Sequence, residues 1–220
     1  MASLSLPHST RRERRSAELR DRLFQAALQL FARKGYSETT VEDITNAADV
    51  GKGTFFNYFP SKEHILAAFG NTQIARVQAG ADAAATTELP IRTFLNNLAL
   101  DAISEPARNP AVVRALLQAN LSSEPVRQVM REIHTRATAL LARIVEVGQD
   151  RGEIRKEFAS ADIAQTLRQS LLGAMLIWSL YGDGSLEGRI EKVLNILWNG
   201  LATPGAVSGR PISSRKGKSQ

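Results

Sequence analysis

Cysteine is absent from all 220 residues, which excludes disulfides and thiolate metal sites at once. Histidine is scarce: His8, His64 and His134 lie far apart, without metal-ligand spacing. Long apolar runs are missing too. The most apolar stretch, Leu171 to Tyr181, is well short of the ~20 residues that cross a bilayer, so it reads as a buried helix. The opening MASLSLPHST lacks the apolar centre of a signal peptide. A soluble, cytoplasmic protein with no membrane partner is expected. Strand-period alternation and internal repeats are also absent. An enzyme would have to rely on carboxylates, lysines or hydroxyls, and none shows a nucleophile–base spacing. No catalytic residue, no metal site and no cofactor is expected.

What is present is charge at the two ends. Residues 1–70 carry ten Lys/Arg against eight Asp/Glu, and residues 71–203 carry fourteen of each. The last seventeen residues add Arg210, Arg215, Lys216 and Lys218 with no acid. A polyanion partner is consistent with this, as are solvated tails. Near the start, Arg11, Arg12, Arg14 and Arg15 form a basic cluster that reads either as a disordered arm reaching DNA or as a solubilising tail.

From about Ala17 the periodicity is helical throughout. Leu23, Phe24, Ala27, Leu28, Leu30 and Phe31 recur on one helix face, with Lys34 and Gly35 in the positions of a dipole-matching cation and a left-handed cap. Thr39-x-x-Glu42 reads as a capping box opening a second helix, with Thr40 in its first turn. Asp49-Val50-Gly51 is a turn, a short helix covers about Lys52 to Tyr58, and Ser61 caps a fourth from Lys62 to about Gly80. Gly80 to Glu88 reads as a linker or a frayed helix end. Further helices follow, one opened by Pro90, one capped by Asn109-Pro110, one preceded by Ser123, one capped by Ser160, and a last from about Ser185 to Leu201. The fold class is all-α, with about nine helices. The expected division is a disordered basic arm over 1–16, a first helical domain over 17–77, a second over 85–203 and a disordered basic tail over 204–220.

The short third helix sorts cleanly at helical spacing. Phe55 and Phe59 fall together and should pack inward, while Gly53, Thr54 and Asn57 share the opposite face. Lys52 and Phe56 flank that face on one side and Tyr58 on the other. A stubby helix with a small, polar outer face suits a major groove. Gly53 weakens the helix, which makes sense where backbone approaches a ligand closely. Asn57 and Thr54 are the candidates for base edges. Thr40, Lys62 and Tyr58 are the candidates for phosphates or the groove edge.

The run TTVEDITNAADVGKGTFFNYFPSKEHIL, from Thr39 to Leu66, resembles the signature of the tetracycline-repressor (TetR) family. The likeness rests on Thr39-Thr40, Gly53-Thr54-Phe55-Phe56 and Phe59-Pro60-Ser61-Lys62-Glu63. It implies that 17–77 is a DNA-binding domain with its helix-turn-helix over about 40–59, that 85–203 binds ligand and dimerises, and that Thr40, Lys52, Gly53, Thr54, Phe56, Asn57, Tyr58 and Lys62 contact DNA. Three positions depart from the family pattern: Asp49 stands at a usual glycine, Gly51 at a usual serine and Phe56 at a common tyrosine. Aspartate tolerates the left-handed region better than most residues, so the turn should survive.

The resemblance further implies a ligand-responsive regulator, most simply a repressor, released from a palindromic operator by a small-molecule effector. The alternatives are an architectural or cell-division protein on the same fold and, less naturally, an enzyme. The helix through Leu171, Leu172, Ala174, Met175, Leu176, Ile177 and Trp178 is apolar nearly all round and needs partners on two sides. The last helix carries Leu186, Ile190, Val193, Leu197 and Leu201 on one stripe. These two are expected to form a four-helix homodimer interface. The resemblance also implies an effector pocket among the helices from Pro90 to Tyr181. Polar groups there include Asn97, Gln118, His134, Arg168 and Gln169, though each residue type is more often a surface or satisfied core group.

Overall fold

A computed structural model describes residues 10–103 and 109–201. Among the described residues there are nine helices and no extended strand: α1 (Arg11–Lys34), α2 (Val41–Ala47), α3 (Lys52–Tyr58), α4 (Lys62–Ala84), α5 (Ile91–Ala102), α6 (Pro110–Ser122), α7 (Glu124–Asp150), α8 (Ser160–Tyr181) and α9 (Leu186–Leu201). The tail beyond 201, with its basic residues, lies outside the described residues.

Several helix ends differ from the sequence expectation, each for a local reason. The basic cluster expected as an arm over 1–16 is helical from Arg11. Thr10 accepts from the Glu13 N–H while the Glu13 carboxylate accepts from the Thr10 N–H, a complete capping box. At the other end of α1, Gly35 has a positive φ of 86° but an extended ψ of 160°, so the chain leaves without the expected left-handed turn. The box that opens α2 is Thr40 with Asp43, one residue on from the expected Thr39–Glu42 pair. Thr39 is instead buried in the loop, its hydroxyl donating to the Gly35 carbonyl at 2.7 Å. Helix α4 runs past Gly80 to Ala84, which shortens the expected linker. Ser160 is the first residue of α8 rather than its cap, and it donates to Glu146 at 2.9 Å. Asp49 does adopt a positive φ of 51°, so the turn between α2 and α3 survives its missing glycine.

Two large apolar clusters hold the molecule together. The first gathers Leu23, Ala27 and Phe31 of α1, Ile44 of α2, Phe55 and Phe59 at α3, and Ile65 and Leu66 of α4. It continues without a break into Val112, Ala115 and Ala119 of α6 and Val126 of α7. The N-terminal helices therefore share one core with the helical half. The second cluster packs α4, α5, α7, α8 and α9 around Ile91, Leu95, Ile144, Leu167 and Trp198. Helices α4 and α7 pack together at Gly70, where an added Cβ would lie 2.2 Å from Cδ1 of Ile133. Glycine at 70 leaves room for the Ile133 side chain.

Candidate nucleic-acid interface

Helix α3 is set by its two inward phenyl rings. Phe55 is 0% exposed and Phe59 is 1% exposed, their centroids 5.8 Å apart, and the Arg20 guanidinium lies 5.4 Å over the Phe59 ring. That seating turns Lys52, Gly53, Phe56 and Asn57 to solvent, with Thr54 and Tyr58 half-buried at the margins. The outward face matches the one expected from spacing at Gly53 and Asn57, but Thr54, expected beside them, is half-buried, and Phe56, expected at the flank, is exposed. Phe56 is 53% exposed and stands edge-on to Phe55 at 5.4 Å. The Tyr58 hydroxyl shares a hydrogen bond of 3.2 Å with Ser16 Oγ, which ties α3 to the basic first turns of α1. Lys52 pairs with Glu42 at 3.0 Å, and both side chains are open to water. Such a pair contributes little to stability and exchanges readily for a phosphate.

Gly53 is informative because nothing within the protein asks for it. A Cβ there would meet no atom within 4 Å. Gly53→Ala should therefore raise folding stability by about 0.5–1 kcal/mol, the usual helical gain over glycine. If this face meets DNA, as the sequence suggests, the same methyl holds the helix off and weakens binding by about tenfold, ~1.4 kcal/mol. Thermal melts and anisotropy titrations on one preparation check both halves, and a variant that gains stability without losing affinity removes Gly53 from the interface.

Two predicted phosphate contacts need correction. Lys62 does not reach outward: its ammonium donates to the carbonyls of Tyr36 (3.0 Å), Thr39 (3.1 Å) and Ser37 (3.4 Å) and lies 4.4 Å from the Tyr36 ring centroid. Its protons are spent on the loop between α1 and α2. Beside it the Tyr36 hydroxyl donates to Glu63 at 2.8 Å. Burial, then that bond and the Glu63 charge, push the Tyr36 phenol well above its usual range. Glu63 itself is pulled up by burial, but hydrogen bonds from Ser61, its own backbone and Tyr36, with the Lys62 charge, leave it below its ordinary value. Thr40 is exposed, but as the helix cap rather than a first-turn residue. Its amide and its hydroxyl both donate to Asp43 Oδ2 at 2.7 Å, and its oxygen accepts from the Asp43 N–H. Lys34 closes on the same carboxylate at 2.6 Å and, ahead of Thr40, holds Asp43 far below the carboxylate range.

A buried helix back, an outward groove-sized face and a supporting helix across a tight turn form a helix-turn-helix. Residues 23–69 match the family model described as bacterial regulatory proteins, tetR family, and residues 100–194 match the tetracyclin repressor-like C-terminal domain. The chain is 31% identical over 166 residues to the HTH-type transcriptional repressor DhaR of Mycobacterium sp. (strain GP1), spanning 72% of this chain and 81% of that one. The chain belongs to the TetR family. It is a DNA-binding transcriptional regulator, as its relatives are named. EthR of Mycolicibacterium smegmatis, an HTH-type transcriptional regulator, is 26% identical over 202 residues, covering 87% of this chain and 88% of its own. The crystal structure of Thermus thermophilus FadR in complex with lauroyl-CoA superposes with a TM-score of 0.60 at 26% identity, over 90% of this chain and all of that one.

Two features of this TetR-family member lie beyond α3. A cavity of about 400 Å³ opens among α4 to α9, walled mostly by side chains such as Phe69, Leu98, Leu116, Met130, Leu171 and Met175. Of the polar residues picked from sequence, His134 and Arg168 line it, whereas Asn97, Gln118 and Gln169 are exposed and do not. Sequence reading missed Gln73 and Asn120, which do line it. The second feature is an apolar outer face on α8 and α9, where Leu172, Ile177, Leu180, Tyr181 (72% exposed) and Ile196 (66% exposed) stand in water. A Cβ at Gly173, in the middle of that α8 face, would meet nothing within 4 Å. None of the described helices is long and apolar enough to cross a membrane.

Proposed function

We propose that this protein is a homodimeric repressor. Paired α3 helices bind a palindromic operator, and a small apolar effector in the α4–α9 cavity releases them. The observation that carries the reading is α3 itself: its phenyl rings are sealed behind it, and its small and amide-bearing residues are turned outward. On this reading Gly53, Thr54, Phe56 and Asn57 meet bases, Lys52 and Tyr58 meet phosphates at the groove edge, and Thr40 stands next to them. Lys62 acts from behind, through the loop it holds. Two recognition helices must sit about one DNA turn, ~34–36 Å, apart. The apolar outer face of α8 and α9, with Gly173 open for close approach, is the surface suited to a second copy. A regulator working on chromosomal DNA in this way is cytoplasmic, and neither catalysis nor a bound cofactor enters the scheme.

Repression and release follow from population shift. One dimer state holds the α3 pair at groove spacing, and effector stabilises another. A near-complete switch needs about 5.5 kcal/mol of differential affinity. DhaR is named a repressor, and the Thermus FadR structure holds an acyl-CoA, which supports the same scheme here.

The experiment is genomic mapping of bound sites followed by anisotropy on the recovered sequence. Palindromic sites, two chains per site and steep salt dependence are the expected outcome. A strict monomer at micromolar concentration, or binding indifferent to sequence, defeats the proposal. Asn57→Ala should cost about 1–3 kcal/mol at the operator and spare non-specific binding. Arg12 lies four and eight residues before Ser16 and Arg20, which touch Tyr58 and Phe59, so it shares their side of α1. Arg12→Ala should weaken binding to every sequence alike and lower the salt slope by about one phosphate contact.

A further inference from the structure

Among the described residues, the wall of the α4–α9 cavity carries one formal charge, that of Arg168 on α8. The side chain leans across to α7. Its Nη1 donates to the His134 carbonyl and, at 3.0 Å, to Thr138 Oγ1, while its Nη2 donates to His134 Nδ1. These bonds use part of a five-donor fork and leave the Nε edge outside them. Among the described residues no carboxylate pairs with this guanidinium. Burial alone draws Arg168 down, to about 10, so it stays charged at neutral pH. Burial and then the Arg168 charge lower His134, in keeping with a neutral ring whose Nδ1 accepts. The cation thus rests among neutral partners, beside an apolar chamber.

A half-buried charge without a counter-ion costs free energy that bonds to neutral partners only partly return. It becomes favourable when the chamber's occupant brings the opposite charge. Building on the effector reading above, we propose that the cavity takes an amphiphilic monocarboxylate, an apolar body ending in one carboxylate, and that Arg168 receives that carboxylate. Charge matching sets the class: one guanidinium edge fits one carboxylate in a bidentate pair. A coenzyme A thioester would bring several phosphates, and the described lining residues offer no further cation for them. The volume, about 400 Å³, is at the small end of the ~300–1,000 Å³ usual for ligand sites and suits a medium-length chain.

The position also supplies a link to DNA. A carboxylate paired with the Nε edge of Arg168 draws the guanidinium away from His134 and Thr138, loosening the tie between α7 and α8. Ile133, the neighbour of His134, is the residue seated on Gly70 of α4. Helix α4 begins at Lys62, which holds the loop ahead of α2. A shift of α7 at His134 therefore presses on the helix that carries the DNA-binding unit.

The test is calorimetry on the full-length protein with dodecanoate, dodecan-1-ol and lauroyl-CoA, each below its micellar concentration, with operator release read in parallel. Dodecanoate should bind about ten- to a hundredfold tighter than the alcohol. In Arg168→Met the acid-to-alcohol ratio should fall towards one, while Arg168→Lys should keep a preference for the acid. If the Met variant is unstable, Arg168→Gln gives the same ratio. A ratio near one in the unaltered protein, an unchanged ratio in Arg168→Met or Arg168→Gln, or lauroyl-CoA binding tighter than dodecanoate overturns the assignment and leaves the cavity as an effector site. If no probe binds and none releases operator, the effector reading falls, and this assignment with it.

Discussion

Phe55→Ala should cost about 3–5 kcal/mol of folding free energy and abolish operator binding, whereas Phe56→Ala, one residue on, should leave stability within about 0.5 kcal/mol. The contrast follows from position. Phe55 is fully buried in the cluster that joins α1, α2, α3 and α4, and its loss opens a cavity there. Phe56 only leans on Phe55 from outside, with half its surface in water. It should matter to DNA all the same, through contact with a thymine methyl or a sugar. Chemical denaturation of the two variants reads the first difference, and operator titrations of Phe56→Ala read the second. Equal destabilisation by both would mean that α3 is not seated by the rings described, and the outward face would have to be reassigned.

Lys62→Met should lower the melting temperature and weaken binding to all sequences, yet leave the salt slope untouched. The substitution keeps the length of the stem but leaves the Tyr36, Ser37 and Thr39 carbonyls without their cationic donor. The Thr39 carbonyl, in a buried residue, loses its donor at a cost of about 1–3 kcal/mol, and a chain of this size loses about 2–4 °C for each kcal/mol. A lysine touching phosphate behaves differently, because its removal lowers the slope by about 0.9. The slope therefore decides between a positioning lysine and a phosphate contact. A melting temperature that stays put while the slope falls would restore the outward role.

The reasons some of this was legible in sequence, and some not, are specific. The back of α3 was readable because Phe55 and Phe59 are four apart, and helical geometry alone puts them together. The register of α2 was not, because Thr39-x-x-Glu42 and Thr40-x-x-Asp43 both fit a capping box. The tie is broken by tertiary contacts, since Thr39 is buried and its carbonyl accepts from Lys62. The role of Lys62 was hidden for the same cause: its acceptors lie 23 to 26 residues earlier in the chain. The start of α1 was written in Thr10-x-x-Glu13, but four arginines made that stretch look like a tail. In the cavity, Gln73 and Asn120 sit on helices with mixed faces, where periodicity does not say which side turns inward.

The unbroken core from α1 into α6 has a consequence for protein engineering. Heads and sensors of such regulators invite exchange, as though the border were a hinge between separate modules. Here a grafted sensor lacking counterparts of Val112, Ala115 and Ala119 would strip α1 of its cover. The hybrid would melt in two stages where the parent melts in one. A working chimera has to import α6 along with the head, or take a sensor that already carries those counterparts.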